Sequence, residues 1–126
     1  MNKELTKKII EKINNLDYDN YNKNIADEEA SVMVDDKVYI FDEVDDFESE
    51  WVDDGKYSYK TNVAELSIYD AKRNKYTPTG IILSQNISRS GSYFSYYNYD
   101  YCNVVQVFRK EITIPEHIEV EYVENN

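Results

Sequence analysis

Apolar residues near the start of the chain recur at the spacing of an α-helix. Five of them fall on one stripe: Leu5, Ile9, Ile10, Ile13 and Leu16. Lysine and glutamate residues fill the opposite side, and this two-sided pattern is typical of an amphipathic helix. We therefore predict a helix over about residues 3–16 that packs on the protein's own sheet.

Further along the chain the apolar pattern changes to steps of two, which indicates β-strands. Turn signals separate the predicted strands: Asp35-Asp36-Lys37 predicts a tight turn, and Asp54-Gly55 is the strongest hairpin signal. Pro115 ends a long strand candidate. Because short strands follow one another without intervening helices, we predict an antiparallel sheet.

These patterns together define the predicted fold class. It is α+β, with an N-terminal amphipathic helix packed on a meandering antiparallel β-sheet over about residues 31–123. The length of 126 residues is typical of a single domain, which we place over residues 1–126.

Three local details of the predicted strands bear on function or packing. Residues 44–52 alternate, so that Phe47 and Trp51 face one side of a predicted strand and acidic residues face the other. Further along the chain, the alternation of apolar residues shifts by one position, from Val63 to Ala64, Leu66 and Ile68. This shift predicts a bulge near Val63. In the last strand, Ile118, Val120 and Tyr122 are predicted to point inward.

Charge is concentrated in one part of the chain. Residues 27–54 contain thirteen Asp or Glu residues and one base, Lys37, a formal charge of −12 against −11 for the whole chain. A concentrated field of one sign attracts a partner of the opposite sign from a distance. The simpler interpretation is a solvated face that keeps the protein soluble, although solubility requires no clustering.

The candidate acidic face lies at the centre of this window. Asp46, Glu48 and Glu50 would form a carboxylate ladder with steps of about 6.6 Å on a strand, which approximates the phosphate array of DNA. We predict that this face binds a basic protein partner by occupying its nucleic-acid-binding groove. The predicted residues are Asp42, Glu43, Asp45, Asp46, Glu48, Glu50, Asp53 and Asp54.

A tyrosine-rich run over residues 90–101 is the second candidate. Tyrosine provides a large contact area at low entropic cost and is favoured at recognition surfaces. We predict that Tyr93, Tyr96, Tyr97 and Tyr99 contact the protein partner directly. The alternative is a hairpin whose tyrosines lie partly in the core. Direct binding of nucleic acid is disfavoured, because the acidic field repels phosphates.

Catalytic and cofactor chemistry finds no support in the sequence, and we predict a protein that is not an enzyme and needs no cofactor or metal. His117 has no recognisable nucleophile or metal partner, and Cys102 is expected to be a small buried residue. A calcium loop over residues 42–53 fails because Phe47 replaces the required glycine. No apolar run reaches membrane-spanning length, so we predict a cytoplasmic location and no membrane contact.

Several traits together resemble small proteins of bacteriophages and other mobile elements. They are the acidity, the run SRSGSYFSYYNYDY at residues 88–101, and the strand pair VVQVFRKEITIPEHIEVEYVE at residues 104–124. The overall character is similar to anti-CRISPR and anti-restriction inhibitors, some of which imitate DNA. The resemblance implies such an inhibitor, with a nucleic-acid-binding defence nuclease of the bacterium as the partner of the acidic face. An immunity protein against a co-encoded toxin, or a phage accessory or structural protein, remains the alternative, and the sequence leaves the oligomeric state open.

Overall fold

The computed structural model of the protein describes residues 3–15, 24–26, 30–91 and 98–124. In chain order, the elements are α1 (Lys3–Asn14), β1 (Ser31–Val34), β2 (Lys37–Glu43), β3 (Val52–Asp54), β4 (Tyr57–Asp70), β5 (Lys75–Ser90), β6 (Asn98–Tyr101), β7 (Val105–Ile114) and β8 (His117–Val123). The predicted α+β class is confirmed: one N-terminal helix is followed by a meandering antiparallel sheet.

The long β4–β5 hairpin is the centre of the sheet. The strand order is β1-β2-β4-β5-β7-β8, and every pairing is antiparallel. Two short strands widen one end of the hairpin, β3 on the outer edge of β4 and β6 on the outer edge of β5. Eight residues, 44–51, connect β2 to β3 along the part of β4 that neither strand covers.

The turns agree with the sequence signals. Asp35 and Asp36 adopt φ angles of 50° and 64°, as a two-residue turn of the favoured mirror-image type requires. Gly55, with φ of 66°, begins the two-residue loop between β3 and β4, where a glycine tolerates that angle without strain. Both hairpins lie where they were predicted, although Lys37 belongs to β2 rather than to the turn. β7 ends at Ile114, directly before Pro115.

The core lies between α1 and one face of the sheet. Ile9 and Ile13 of the helix stripe are buried against Tyr39, Leu66 and Leu83 of the central strands. Asn14 at the helix end is hydrogen-bonded to Val104, the residue directly before β7. Its side-chain oxygen accepts from the Val104 N–H at 2.7 Å, and its amide group donates to the Val104 carbonyl at 3.2 Å.

The β4–β5 pairing contains one irregularity, between Glu65 and Ser67. The extra residues belong to β5, where Gly80 has φ of 80° and its N–H donates to the Glu65 carboxylate at 3.2 Å. A bulge in this hairpin was predicted near Val63, so the feature is present but displaced along β4. The displacement follows from Pro78 and Gly80, since the β5 ladder is interrupted opposite Leu66, between the Glu65–Ile82 and Ser67–Pro78 pairs.

Two predictions about strands are wrong. The strand predicted over residues 44–52 is not formed by residues 44–51, which pair with no neighbouring strand. These eight residues are more than an extended strand needs to run along the uncovered edge of β4. Only Val52 of the prediction belongs to a strand, β3. Ile118 is 59% exposed rather than inward-facing. Its hairpin partner is Thr113, near the β7–β8 turn, whereas β7 pairs with β5 only over residues 105–107.

Candidate protein-binding face

The predicted acidic face lies along one edge of β4. We call residues 42–54 the acidic segment; it contains the end of β2, the connection 44–51 and β3. Asp42 lies opposite Glu65, and Asp54 lies opposite Tyr57. Those two levels of β4 are eight residues apart, which is about 27 Å at about 3.4 Å per residue. All eight predicted acidic residues are exposed along this length.

Hydroxyl groups anchor the acidic segment at both ends and near its middle. Ser67 donates to the Asp42 carboxylate, and Ser58 donates to the Asp53 carboxylate. Between these ends, the Thr61 N–H of the uncovered β4 edge donates to the Ser49 hydroxyl at 3.0 Å. Side chains therefore attach the segment to the sheet at three separate levels, and the Ser49 contact holds the connection 44–51, which forms no strand pairing of its own.

A fourth anchor, at Asp46, ties the acidic segment to the β7–β8 hairpin. Arg109 Nε donates to Asp46 at 2.6 Å, and the Tyr122 hydroxyl donates to the other Asp46 oxygen. The Phe47 ring meets the Tyr122 ring edge to face, with centroids 5.9 Å apart. A second Arg109 nitrogen donates to Glu111 at 2.6 Å. We call Asp46, Phe47, Arg109 and Tyr122 the hairpin anchor.

The titration behaviour of the hairpin anchor follows from these contacts. The hydrogen bond from Tyr122, followed by that from Arg109, lowers the pKa of Asp46. Burial, together with the Asp46 carboxylate that its hydroxyl contacts, raises the pKa of Tyr122 to about 12. The pKa of Arg109 is raised as well, chiefly by its hydrogen bond to Asp46. Asp46 is therefore ionised at neutral pH, and its charge is already neutralised within the protein.

The anchored acids differ from the acids that remain available. Asp42, Asp46 and Asp53 accept hydrogen bonds from the sheet. Among the described residues, the other five carboxylates make no side-chain hydrogen bond or ion pair, and all are exposed: Glu43, Asp45, Glu48, Glu50 and Asp54. The structure thus separates acids that hold the segment from acids that face solvent.

The aromatic prediction falls only partly within the described residues. Tyr93, Tyr96 and Tyr97 lie outside them. Tyr99, on β6, is exposed, and its ring centroid lies 6.1 Å from that of Trp51 in the acidic segment. Tyr99 therefore lies beside the acidic segment at this end of the sheet.

Trp51 is the centre of a small cationic and aromatic cluster. The Arg89 guanidinium lies over the indole ring at 4.0 Å from its centroid, and Lys60 Nζ lies at 5.9 Å. Arg89 pairs in register with Tyr99. Cation–π contacts of this kind fix the indole and, with it, the C-terminal part of the acidic segment.

The sequence interpretation missed three exposed residues next to the acids. Val52, Tyr57 and Tyr59 are 65%, 49% and 46% exposed, and the two tyrosine rings stack with centroids 6.4 Å apart. Val52 lies directly opposite Tyr59 on the neighbouring strand. The available signal was the alternation of Tyr57 and Tyr59 directly after the Asp54-Gly55 turn, which placed both rings on one face of a strand near a sheet edge.

The remaining candidates offer little chemistry. His117 Nε2 lies 3.2 Å from Glu119, and both side chains are exposed. Cys102 is exposed, so the expectation of a buried thiol is wrong; it follows the last residue of β6, where the chain leaves the sheet. Within the described ranges, no group of three or more His, Cys, Asp or Glu side chains is arranged to hold a metal ion.

The fold and this face define a small acidic α+β protein with an anchored, carboxylate-rich edge. Residues 1–124 match the phage T4 Y04K protein family, so the chain belongs to that family, a phage protein family whose name states no activity. Neither the curated proteins nor the solved structures contain a significant match. In the described part of the chain, no helix has the length and apolar character to cross a membrane.

Proposed function

We propose that this protein is a non-enzymatic inhibitor whose acidic segment docks into the basic nucleic-acid-binding surface of a bacterial defence nuclease, in the cytoplasm of the infected host. The observation that carries the proposal is the anchored edge itself. Five carboxylates that have no partner among the described residues are held along about 24 Å of a folded sheet, from the level of Ala64 to that of Tyr57. Membership of a phage family supports a role in infection.

The spacing of the acids supports imitation of a phosphate backbone. Along β4, eight carboxylates over about 27 Å have a mean spacing of about 3.9 Å, and seven, without the neutralised Asp46, have a mean spacing of about 4.5 Å. One strand of duplex DNA presents a phosphate about every 3.4 Å of helix axis. A groove that neutralises one nucleic-acid strand therefore meets a similar linear charge density here.

The anchors support tight rather than merely fast binding. Long-range attraction between a negative edge and a basic groove raises the rate of encounter. Ordering a mobile acidic loop on binding would cost conformational entropy, but the hydroxyl contacts and the hairpin anchor already order it. The exposed aromatic residues beside the acids provide the short-range contacts that slow release.

A pair of charge-reversal variants tests the proposal with a matched control. Glu48→Lys/Glu50→Lys changes the acidic segment, and Glu116→Lys/Glu124→Lys makes the same change at exposed positions on the β7–β8 side. Each pair raises the formal net charge by four, from −11 to −7. Any effect of net charge on binding is therefore the same for both double variants, and a difference between them reports on the acidic segment.

Tagged wild type and both variants are incubated at low salt with nuclease-treated lysate of the bacterial host, and the captured partner is purified. We expect the wild type and the control to bind a nuclease, to lose affinity as salt rises, and to be displaced by the nuclease's own DNA or RNA. Glu48→Lys/Glu50→Lys should lower the affinity about tenfold or more, since a like charge now faces the basic groove.

Two results would contradict the proposal. One is equal binding of the partner by both charge-reversal variants. The other is a partner that binds and cleaves its nucleic acid at the normal rate while this protein remains bound to it.

A further inference from the structure

Four strands at one end of the sheet place a distinct set of side chains on the solvent face. Residues directly opposite each other in neighbouring strands share a face. Tyr57 lies opposite Ser90, which lies opposite Asn98; Tyr59 lies opposite Ser88, which lies opposite Asp100. Two rows of three residues therefore run across β4, β5 and β6.

These rows form a trough with a small-residue floor. The two half-buried serines of β5 lie between the stacked tyrosines of β4 and the polar residues of β6. The walls are two strand spacings apart, about 10 Å. We call the six residues the tyrosine–serine trough: Tyr57, Tyr59, Ser88, Ser90, Asn98 and Asp100.

Carboxylates stand on both sides of the tyrosine pair. Asp54 lies directly opposite Tyr57 on the β3 side, and Asp100 forms part of the far wall. Both carboxylates are exposed, and within the described residues neither has a hydrogen-bond or ion-pair partner. A planar cation lying on the tyrosine rings would thus reach a carboxylate from either edge.

The opposite face of the same strands already holds such a contact. There Arg89 lies over Trp51 at 4.0 Å from the ring centroid, whereas Lys60 lies at 5.9 Å. On the trough side, no cationic group of the described chain lies over Tyr57 or Tyr59, and both rings are about half exposed. The aromatic pair on this face is therefore available to a cation from outside.

We propose that the tyrosine–serine trough binds arginine side chains of a basic protein partner, in preference to lysine. A guanidinium is planar and weakly hydrated, stacks on aromatic rings and donates hydrogen bonds along its edge to carboxylates and hydroxyls. A lysine ammonium matches only the charge. The inference rests on the proposed function for the basic character of the partner, and it assigns the partner's contact residues.

Binding of two capped decapeptides, oligoarginine and oligolysine, tests this inference directly. Affinities are measured by calorimetry at one fixed salt concentration, for the wild type and three variants. Tyr57→Leu/Tyr59→Leu removes the aromatic pair, and Tyr57→Phe/Tyr59→Phe retains it. Tyr76→Leu is the matched control, because Tyr76 is also about half exposed and stacks on a neighbouring tyrosine, Tyr69, at the other end of the hairpin.

We expect the wild type to bind oligoarginine about tenfold more tightly than oligolysine, as two exposed cation–π contacts with adjacent carboxylates would give. The Tyr57→Leu/Tyr59→Leu variant should bring the two affinities to within about twofold by weakening only the oligoarginine complex. The phenylalanine pair and the Tyr76 control should keep the wild-type ratio. In NMR spectra of the wild type, the backbone amide chemical shifts of Ser88 and Ser90 should change when oligoarginine is added.

An oligoarginine preference that survives in Tyr57→Leu/Tyr59→Leu, or that is absent from the wild type, overturns the inference. Such a result leaves the proposed function standing, since that function depends on the charge-reversal comparison at Glu48 and Glu50. Conversely, both charge-reversal variants could bind the partner equally while the wild type still prefers oligoarginine to oligolysine. That result refutes the inhibitor proposal but leaves the proposed arginine-binding role of the tyrosine–serine trough standing.

Discussion

Removal of a single hydroxyl group from the hairpin anchor should loosen the acidic segment by a predictable amount. In Tyr122→Phe the ring remains, so the edge-to-face contact with Phe47 at 5.9 Å is preserved. The hydrogen bond to the Asp46 carboxylate is lost. A hydrogen bond to a charged group contributes about 1.5–3 kcal/mol when it is shielded from water.

The expected cost is lower than that range because the Asp46 side chain is 34% exposed, and water replaces part of the lost bond. We expect Tyr122→Phe to reduce the free energy of unfolding by about 1 kcal/mol at pH 7, with a fall in Tm of about 3–5 °C. Urea denaturation measures the first quantity and a thermal scan the second.

The pH dependence gives this prediction a second, independent readout. The pKa of Asp46 is lower in the folded protein than the ordinary value of about 3.9, and its largest cause is the Tyr122 hydrogen bond. The associated stabilisation is present above about pH 3.9 and is lost as the pH falls through the folded-state pKa. Since the variant lacks that hydrogen bond, its Asp46 should titrate at higher pH, and its stability difference from wild type should shrink in acid.

Tyr69→Phe is the matched control for the loss of a tyrosine hydroxyl. The Tyr69 hydroxyl donates to the neutral Asn74 side chain at 3.2 Å on the surface, so its removal should change stability by less than about 0.5 kcal/mol. The reasoning is refuted if Tyr122→Phe unfolds at the same urea concentration as wild type, or if its deficit is constant from pH 7 to pH 3.

Two further predictions concern the support of the sheet. Asn14→Ala removes both hydrogen bonds to the buried Val104 backbone and should cost about 2–3 kcal/mol in urea denaturation; a cost below about 0.5 kcal/mol would show that water replaces them. Tyr39→Phe should leave stability unchanged or raise it by up to about 1 kcal/mol, because the buried Tyr39 hydroxyl has no hydrogen-bond partner among the described residues. A clear loss of stability in Tyr39→Phe would reveal a partner for that hydroxyl.

The elements that the sequence predicted well are those encoded by neighbouring residues. The helix stripe of Ile9 and Ile13 is buried as its spacing requires. In the two turns, the positive φ angles belong to Asp35, Asp36 and Gly55, which are residue types that tolerate them. Each of these features is determined within a few residues, so periodicity and turn chemistry were sufficient.

The path of residues 44–51 was not predictable in this way. Their alternation is real, since Phe47, Ser49 and Trp51 are half-buried while Glu48 and Glu50 are exposed. Alternation indicates an extended chain with one covered side, but it does not reveal whether a neighbouring strand supplies hydrogen bonds. Tyr122 covers Phe47, and Arg89 covers Trp51. Both covering residues are remote in sequence and are brought near only by the folding of the sheet.

The same non-local origin explains the tyrosine–serine trough. Its six residues come from three strands, and one residue of register shift in β4–β5 would move Tyr57 and Tyr59 away from the serines to the other face. The sequence could indicate that the two tyrosines share a face. It could not indicate that Ser88 and Ser90 lie beside them. Their position depends on the strand register, which the bulge between Glu65 and Ser67 changes and which is regular from there to Tyr57.

The arrangement of anchors explains how a strongly acidic segment can be ordered at all. Eight carboxylates with a mean spacing of about 4 Å along the strand direction repel one another, and repulsion favours an expanded, mobile loop. The hairpin anchor opposes this at the middle of the segment, where Arg109 neutralises Asp46 and Phe47 packs on Tyr122. The hydroxyl anchors at Asp42 and Asp53 act at the ends without adding positive charge. Neutralising one acid in eight therefore leaves the field almost intact while fixing its shape, which is the combination that a rigid substitute for a nucleic-acid strand requires.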